Sequence, residues 1–196
     1  MQKSSTKDKI INAAWKLFQE NGYENTTLTD IIKESHSSRG AFYHHFHGKE
    51  DLLFHLAYFF DSDYSKWFST LTPDMTAIDK LSSFNKHVFN SLENSPYRSF
   101  FSELYGYQVM TSYPRYILNP DREYYRILNQ LIKEGIEKKE IRSDISCSDL
   151  VHTLTTMERG YTYNWCLEKF QYSLTEFAHP LINLFLESLR PENENK

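Results

Sequence analysis

Between Ser37 and His45 the chain collects side chains that can do chemistry. Ser37, Ser38, Arg39, Tyr43, His44 and His45 bring hydroxyl, guanidinium, phenol and imidazole groups onto one short stretch. All of them donate hydrogen bonds, and such donors suit phosphate oxygens and the edges of bases. Few of these groups belong in a core. Gly40 removes a side chain where the backbone can approach a large ligand closely, and that closeness offsets a helix cost of about 1 kcal/mol. Lys49 sits in the first turn of a long helical stretch, the unfavourable end of the macrodipole for a cation unless a phosphate lies opposite. His44, His45 and His47 invite a metal site, but adjacent residues 44 and 45 point about 100° apart on a helix, so a surface or phosphate-facing role is expected and no metal. No Gly-x-Ser-x-Gly, phosphate-cradling glycine loop or His-Glu-x-x-His occurs. No catalytic residue, enzyme activity or cofactor is therefore expected.

The elements that must position these groups are helices. Apolar residues recur every three or four positions between scattered prolines, which predicts an all-α fold of about nine helices. Ile10, Ala14, Leu17 and Phe18 share one face of a first helix that stops at Asn21-Gly22. Thr27 with Asp30 starts a short second helix whose buried face is Leu28, Ile31 and Ile32. Ser37 and Ser38 offer the N-cap of a third. From Lys49 to about Thr70 a rod roughly 30 Å long can join a head to a body. Two short helices with a tight turn between them have the size of a helix-turn-helix. The division expected is a DNA-binding head over residues 1–48, a helical body over 49–190 and a polar tail over 191–196.

Charge and composition narrow the class further. The 196 residues are 40% hydrophobic and 24% charged, near globular averages, and the formal net charge is -4. Residues 1 to 52 hold seven Lys/Arg against seven Asp/Glu, leaving fifteen against nineteen behind them. A uniformly basic coat is excluded, so any grip on DNA must come from locally arranged groups. No stretch is long enough to cross a bilayer and no signal peptide is visible, so a cytoplasmic protein is expected. Cys147 and Cys166 are expected to be reduced thiols. Asp61 and Asp63, and the charges from Glu137 to Glu140, read as solvated helix faces. Trp15 reads as a partly buried aromatic of the first helix, and Lys3 and Lys7 serve equally as minor-groove contacts or as solubilising charges.

The stretch TTLTDIIKESHSSRGAFYHHFHGKEDLL closely resembles the head of the TetR family of one-component regulators. The resemblance rests on Ala14, Phe18, Gly22, Tyr23, Thr26, Thr27, Ile31, Gly40, Tyr43, His45, Phe46, Lys49, Glu50 and Leu52, and covers about residues 7 to 53. The turn departs from it, with His36-Ser37 where the family often has Gly-Val; histidine can enter the left-handed region at some cost. The resemblance implies that Thr27, Ser37, Ser38, Arg39, Gly40, Tyr43, His44 and Lys49 meet double-stranded operator DNA. Tyr43, His44 and Lys49 would sit on phosphates, Arg39 would read a base, and Phe42 would touch a thymine methyl. Phe46, Ile31 and Leu28 read as core.

It also implies a repressor released from a palindromic operator when a small molecule binds the body. That body is dense in aromatics, Tyr97, Phe100, Phe101, Tyr105, Tyr107, Tyr113, Tyr116, Tyr124 and Tyr125 among them. Buried tyrosines need partners and can line a semi-polar pocket. The expected wall is Tyr64, Trp67, Phe101, Tyr105, Met110, Glu158, Tyr161 and Trp165. Glu103 or Glu158 would suit a cationic ligand; Arg98, Arg159, His87 and His152 suit an anion equally well. The last two helices carry apolar stripes, and the resemblance implies a homodimer through them.

Overall fold

The computed structural model describes residues 5–112 and 114–191, the Tyr58 side chain excepted; Lys3, Tyr113 and the tail beyond Pro191 lie outside the described residues. Among them the fold is all helical. Nine α-helices run in the order α1 Thr6–Asn21, α2 Leu28–Glu34, α3 Arg39–His45, α4 Asp51–Phe68, α5 Ala77–Glu93, α6 Phe101–Met110, α7 Glu123–Glu137, α8 Cys147–Leu167 and α9 Leu174–Glu187. Single 3-10 turns at Arg98–Phe100 and Tyr116–Leu118 precede α6 and α7. No described helix is long and apolar enough to cross a membrane. Both cysteines are free thiols.

Two compact units divide the chain. One comprises Met1–Phe59 with Ser99–Ile117, the other Phe60–Arg98 with Leu118–Lys196. α4 therefore gives its first half to one and its second half to the other.

In the first unit, local chemistry fixes each helix boundary. Ser5 and Thr27 form reciprocal capping boxes with Asp8 and Asp30, and Ser38 accepts the Ala41 N–H at 3.0 Å. Gly22 closes α1 at φ +82°, a conformation that favours glycine. The turn between α2 and α3 passes through His36 at φ +51°, the left-handed conformation expected there. The core of the unit joins Ile10, Ala14, Phe18, Ile31, Phe42 and Phe46, and Trp15 is buried with them. Trp15 and Phe18 each meet the ring of Phe100, with centroids 5.8 and 6.0 Å apart, so the start of α6 seals one side of α1.

In the second unit α5 packs on both α7 and α9, and α8 on both α7 and α9. α7 shows why: Tyr124, Ile127, Leu128, Leu131, Ile132 and Gly135 make one buried stripe. Gly135 is required by close approach, since a Cβ there would stand 2.5 Å from Ile141 Cδ1 and 2.7 Å from Ala77 Cβ. Glu140, expected on a solvated helix end, instead accepts the Ala77 N–H that opens α5.

Candidate functional site

α3 is only seven residues long, but it is held firmly. Its Phe42 has no exposed surface, and Phe42 and Phe46 pack ring to ring at 5.3 Å. The thymine contact expected of Phe42 is not available to a side chain spent on this packing. Around that anchor Thr27, Ser38, Arg39, Gly40, Tyr43 and His44 are exposed, while Ser37 is half-buried with its hydroxyl 2.8 Å from that of Ser35. The hydroxyls of Thr27 and Ser38 cap α2 and α3 by accepting N–H groups. The Arg39 guanidinium lies 5.9 Å from the centroid of the Tyr43 ring, which steadies its long side chain by a cation–π contact.

Lys49 is placed differently from the phosphate ligand expected. Its Nζ donates to the Tyr23 carbonyl at 2.7 Å and the Thr26 carbonyl at 3.0 Å, and lies 4.1 Å from the Tyr23 ring centroid. The buried Thr26 hydroxyl in turn donates to the carbonyls of Gly22 and Leu17. A cation at the start of α4 is thus satisfied by carbonyls at the end of α1 and before α2. Nearby, Asp51 accepts both the backbone N–H of His47 at 2.6 Å and its ring Nδ1 at 2.9 Å. Burial pushes the His55 imidazole down to about 4 from its ordinary 6.5, keeping it neutral.

The expected effector residues fall in both units. Phe101 is buried, Tyr105 half-buried and Met110 81% exposed in the first. In the second, Tyr64, Trp67 and Glu158 do converge. Tyr64 meets Phe84 and Tyr124, and Trp67 stacks on Phe84 and His87. Trp165 and Tyr161 stand elsewhere. Trp165 is fully buried, donates its indole N–H to the Tyr172 carbonyl at 2.8 Å and packs on Phe170; Tyr161 packs on Phe177 of α9.

Glu158 is the centre of a polar chain that the sequence did not disclose. Its carboxyl accepts from Tyr124 Oη and from Asn85 Nδ2 at 2.7 Å; Asn85 Oδ1 lies 2.9 Å from His179 Nδ1, and His179 Nε2 lies 3.3 Å from Asn183 Nδ2. α7, α8, α5 and α9 each contribute. Burial raises the Glu158 carboxyl above its ordinary value and lowers the His179 imidazole. The signal was present in Asn85, a polar residue among the buried Leu81, Phe84, Val88 and Phe89 of α5.

Asp61 also corrects the solvated-face expectation. It is buried and bidentate with Arg122, at 3.0 Å to Nε and 2.9 Å to Nη2. Asp63 holds His87 Nε2 at 2.8 Å and the Ser91 hydroxyl at 2.7 Å. Among the described residues no cluster of three metal-ligating side chains occurs.

An exposed donor row on a short helix, anchored by a buried aromatic and preceded by a capped partner helix, defines a helix-turn-helix head. Residues 10–56 match the family model described as Bacterial regulatory proteins, tetR family. The transcriptional regulator QacR of Staphylococcus aureus is 44% identical over 61 residues, 31% of either chain. The chain thus matches under a third of that relative's length. The fold extends further: the fatty acid degradation regulator FadR of Bacillus halodurans superposes with a TM-score of 0.70 at 23% identity, over 97% of this chain and 99% of that one. FadR of Bacillus subtilis, solved in complex with stearoyl-CoA, gives 0.65 at 23% identity, over 93% and 96%.

Proposed function

We propose that this chain is a DNA-binding transcriptional regulator, a repressor released from a palindromic operator by a small-molecule effector, and not an enzyme. The observation that carries the reading is the exposed row Thr27, Ser38, Arg39, Gly40, Tyr43 and His44 on a head whose apolar residues are packed inward. Arg39, steadied by Tyr43, is the base reader, because a guanidinium fork matches the two acceptors of guanine. Tyr43 and His44 take phosphates, Ser37 and Ser38 shape the turn and cap, and Lys49 braces the head against the start of α4. Its place of action is the cytoplasm, where operator DNA lies.

The chain acts as a homodimer, since one small head has few base contacts and two heads about 34 Å apart read a palindrome much more tightly. α9 supports that reading: Phe177, Leu181 and Leu184 lie along one side at 50%, 38% and 69% exposure. The domain roles are a DNA-binding head over 1–48 and an effector-binding and dimerising body over 49–190. Within the body Tyr64, Trp67 and Glu158 form the best-supported part of the effector wall. B. subtilis FadR holding stearoyl-CoA supports a small-molecule effector here.

A mobility-shift titration against DNA upstream of the chain's own coding region tests the reading. Binding should weaken steeply as salt rises, because each phosphate contact releases counterions. Arg39→Ala should relax base preference, whereas Tyr43→Phe should weaken binding to all sequences alike. Absence of binding at low salt would instead favour a ligand-binding module that has kept the head and lost its DNA.

A further inference from the structure

The proposed DNA-binding head carries an unusual load of imidazoles. His36, His44, His45 and His47 fall within twelve residues, and all four are exposed. They matter because residues 1 to 52 have a formal charge of zero, seven cations against seven anions, when histidine is neutral. A head without net charge has little long-range attraction for a polyanion. One proton on this surface therefore changes its electrostatics more than it would on a basic head.

The four sites differ in what faces them. His47 lies 2.9 Å from the Asp51 carboxylate, and His36 lies near Glu34, whose carboxylate is held chiefly by Lys16, so each has an acidic neighbour within the protein. His44 and His45 face each other, with ring centroids 4.8 Å apart and planes at 70°. On their own helix Arg39 adds a fixed cation beside Tyr43. His45 also borders a cavity of about 80 Å³ lined by Lys7 of α1, Asp51, Phe54 and His55 of α4, and Tyr116. His55 stays neutral there, so the cavity sets one cation, Lys7, against one carboxylate, Asp51. A DNA phosphate is an external anion, and an anion close to an imidazole favours its charged form.

We propose that DNA binding by this chain is proton-linked through His44 and His45: the pair takes up a proton when the head engages the phosphate backbone, so affinity rises with acidity. The proposal rests on the DNA-binding reading above. Histidine ordinarily changes its charge between about pH 5 and 8, which puts the effect within reach of physiological change. By linkage, each proton taken up on binding contributes at most about tenfold in affinity per pH unit.

Fluorescence anisotropy with a mixed-sequence duplex, at constant ionic strength near pH 6 and pH 8, tests it. The unaltered chain should bind about threefold to tenfold tighter at the lower pH, with a salt slope steeper by about one charge per head. His44→Gln combined with His45→Gln should bind almost equally at both, while its six remaining histidines, His36, His47 and His55 in the head and His87, His152 and His179 beyond it, serve as an internal control. Far-ultraviolet circular dichroism at each pH reports the fold, and His44→Gln alone, at an exposed position, replaces the pair if the double variant unfolds. Binding that ignores pH, or pH dependence that survives both substitutions, overturns the proposal and leaves the DNA-binding reading standing. No binding at either pH in low salt overturns both.

Discussion

Lys49 and Tyr23 are joined across 26 residues by two contacts at once, the ammonium donating to the Tyr23 carbonyl at 2.7 Å and resting 4.1 Å from its ring centroid. The same ammonium reaches the Thr26 carbonyl, so one side chain ties the start of α4 to the segment between α1 and α2. Lys49→Met keeps the stem and removes the donors, leaving carbonyls without their charge-assisted partner. A loss of about 1–3 kcal/mol of stability should follow, read by urea denaturation. DNA affinity should fall with the salt slope unchanged, because no phosphate contact is removed; a slope shallower by about one charge would return Lys49 to the phosphates.

The head was largely legible in the sequence because its signals are local. Thr27 with Asp30, Gly22 after Asn21, and Ser38 ahead of Arg39 each fix a boundary through neighbours within three or four residues, and each forms as expected. What was hidden depends on distant partners. Nothing near Phe42 in sequence tells that its helix packs on α1 and leaves the ring without exposed surface. Lys49 and Asp61 read as exposed charges because their partners, Tyr23 and Arg122, lie 26 and 61 residues away. The proposed effector wall was the least legible part, since tyrosine and tryptophan fill a core and line a pocket with the same residue types.

His55 makes the stability of the head depend on pH. Its imidazole titrates at about 4 when folded and at 6.5 ordinarily. A base whose folded value is depressed stabilises the fold above the ordinary value and loses that contribution as pH falls. Between 6.5 and about 4 the unfolded chain binds a proton that the folded chain does not, at a cost of up to about 3 kcal/mol. His55→Gln should flatten denaturation midpoints across that window. An undiminished slope in the variant would assign the pH dependence to other groups.

Glu158 has the opposite sign. Burial raises its carboxyl above the ordinary 4.5, so its contribution is complete below 4.5 and is lost as pH rises through the folded value. Glu158→Gln keeps the shape without the charge and should remove that decline, with stability near neutrality within about 1 kcal/mol of the parent chain. Glu158→Leu leaves Asn85 Nδ2 and the Tyr124 hydroxyl without their acceptor, and should cost about 2–4 kcal/mol. Equal stability of the two variants would mean that the polar chain through α5, α7, α8 and α9 contributes nothing beyond packing.

Leu184 tests the dimer. It is 69% exposed, while Ile182 and Leu186 beside it are fully buried, so its side chain contributes little to the folding of one copy. Covering such a residue is worth about 1.5–3 kcal/mol, and in a two-fold dimer each substitution is felt twice. Leu184→Glu puts a carboxylate on the face shared with Phe177 and Leu181, where a second copy would have to desolvate it. Sedimentation equilibrium should show the dissociation constant raised by at least about a hundredfold, the equivalent of roughly 2.7 kcal/mol, with the thermal midpoint of the isolated monomer unchanged. If the dissociation constant stays within a few-fold of the parent chain, α9 does not form the interface. Because two joined heads bind a palindrome much more tightly than one, the same variant should lose operator affinity while its α3 surface remains intact.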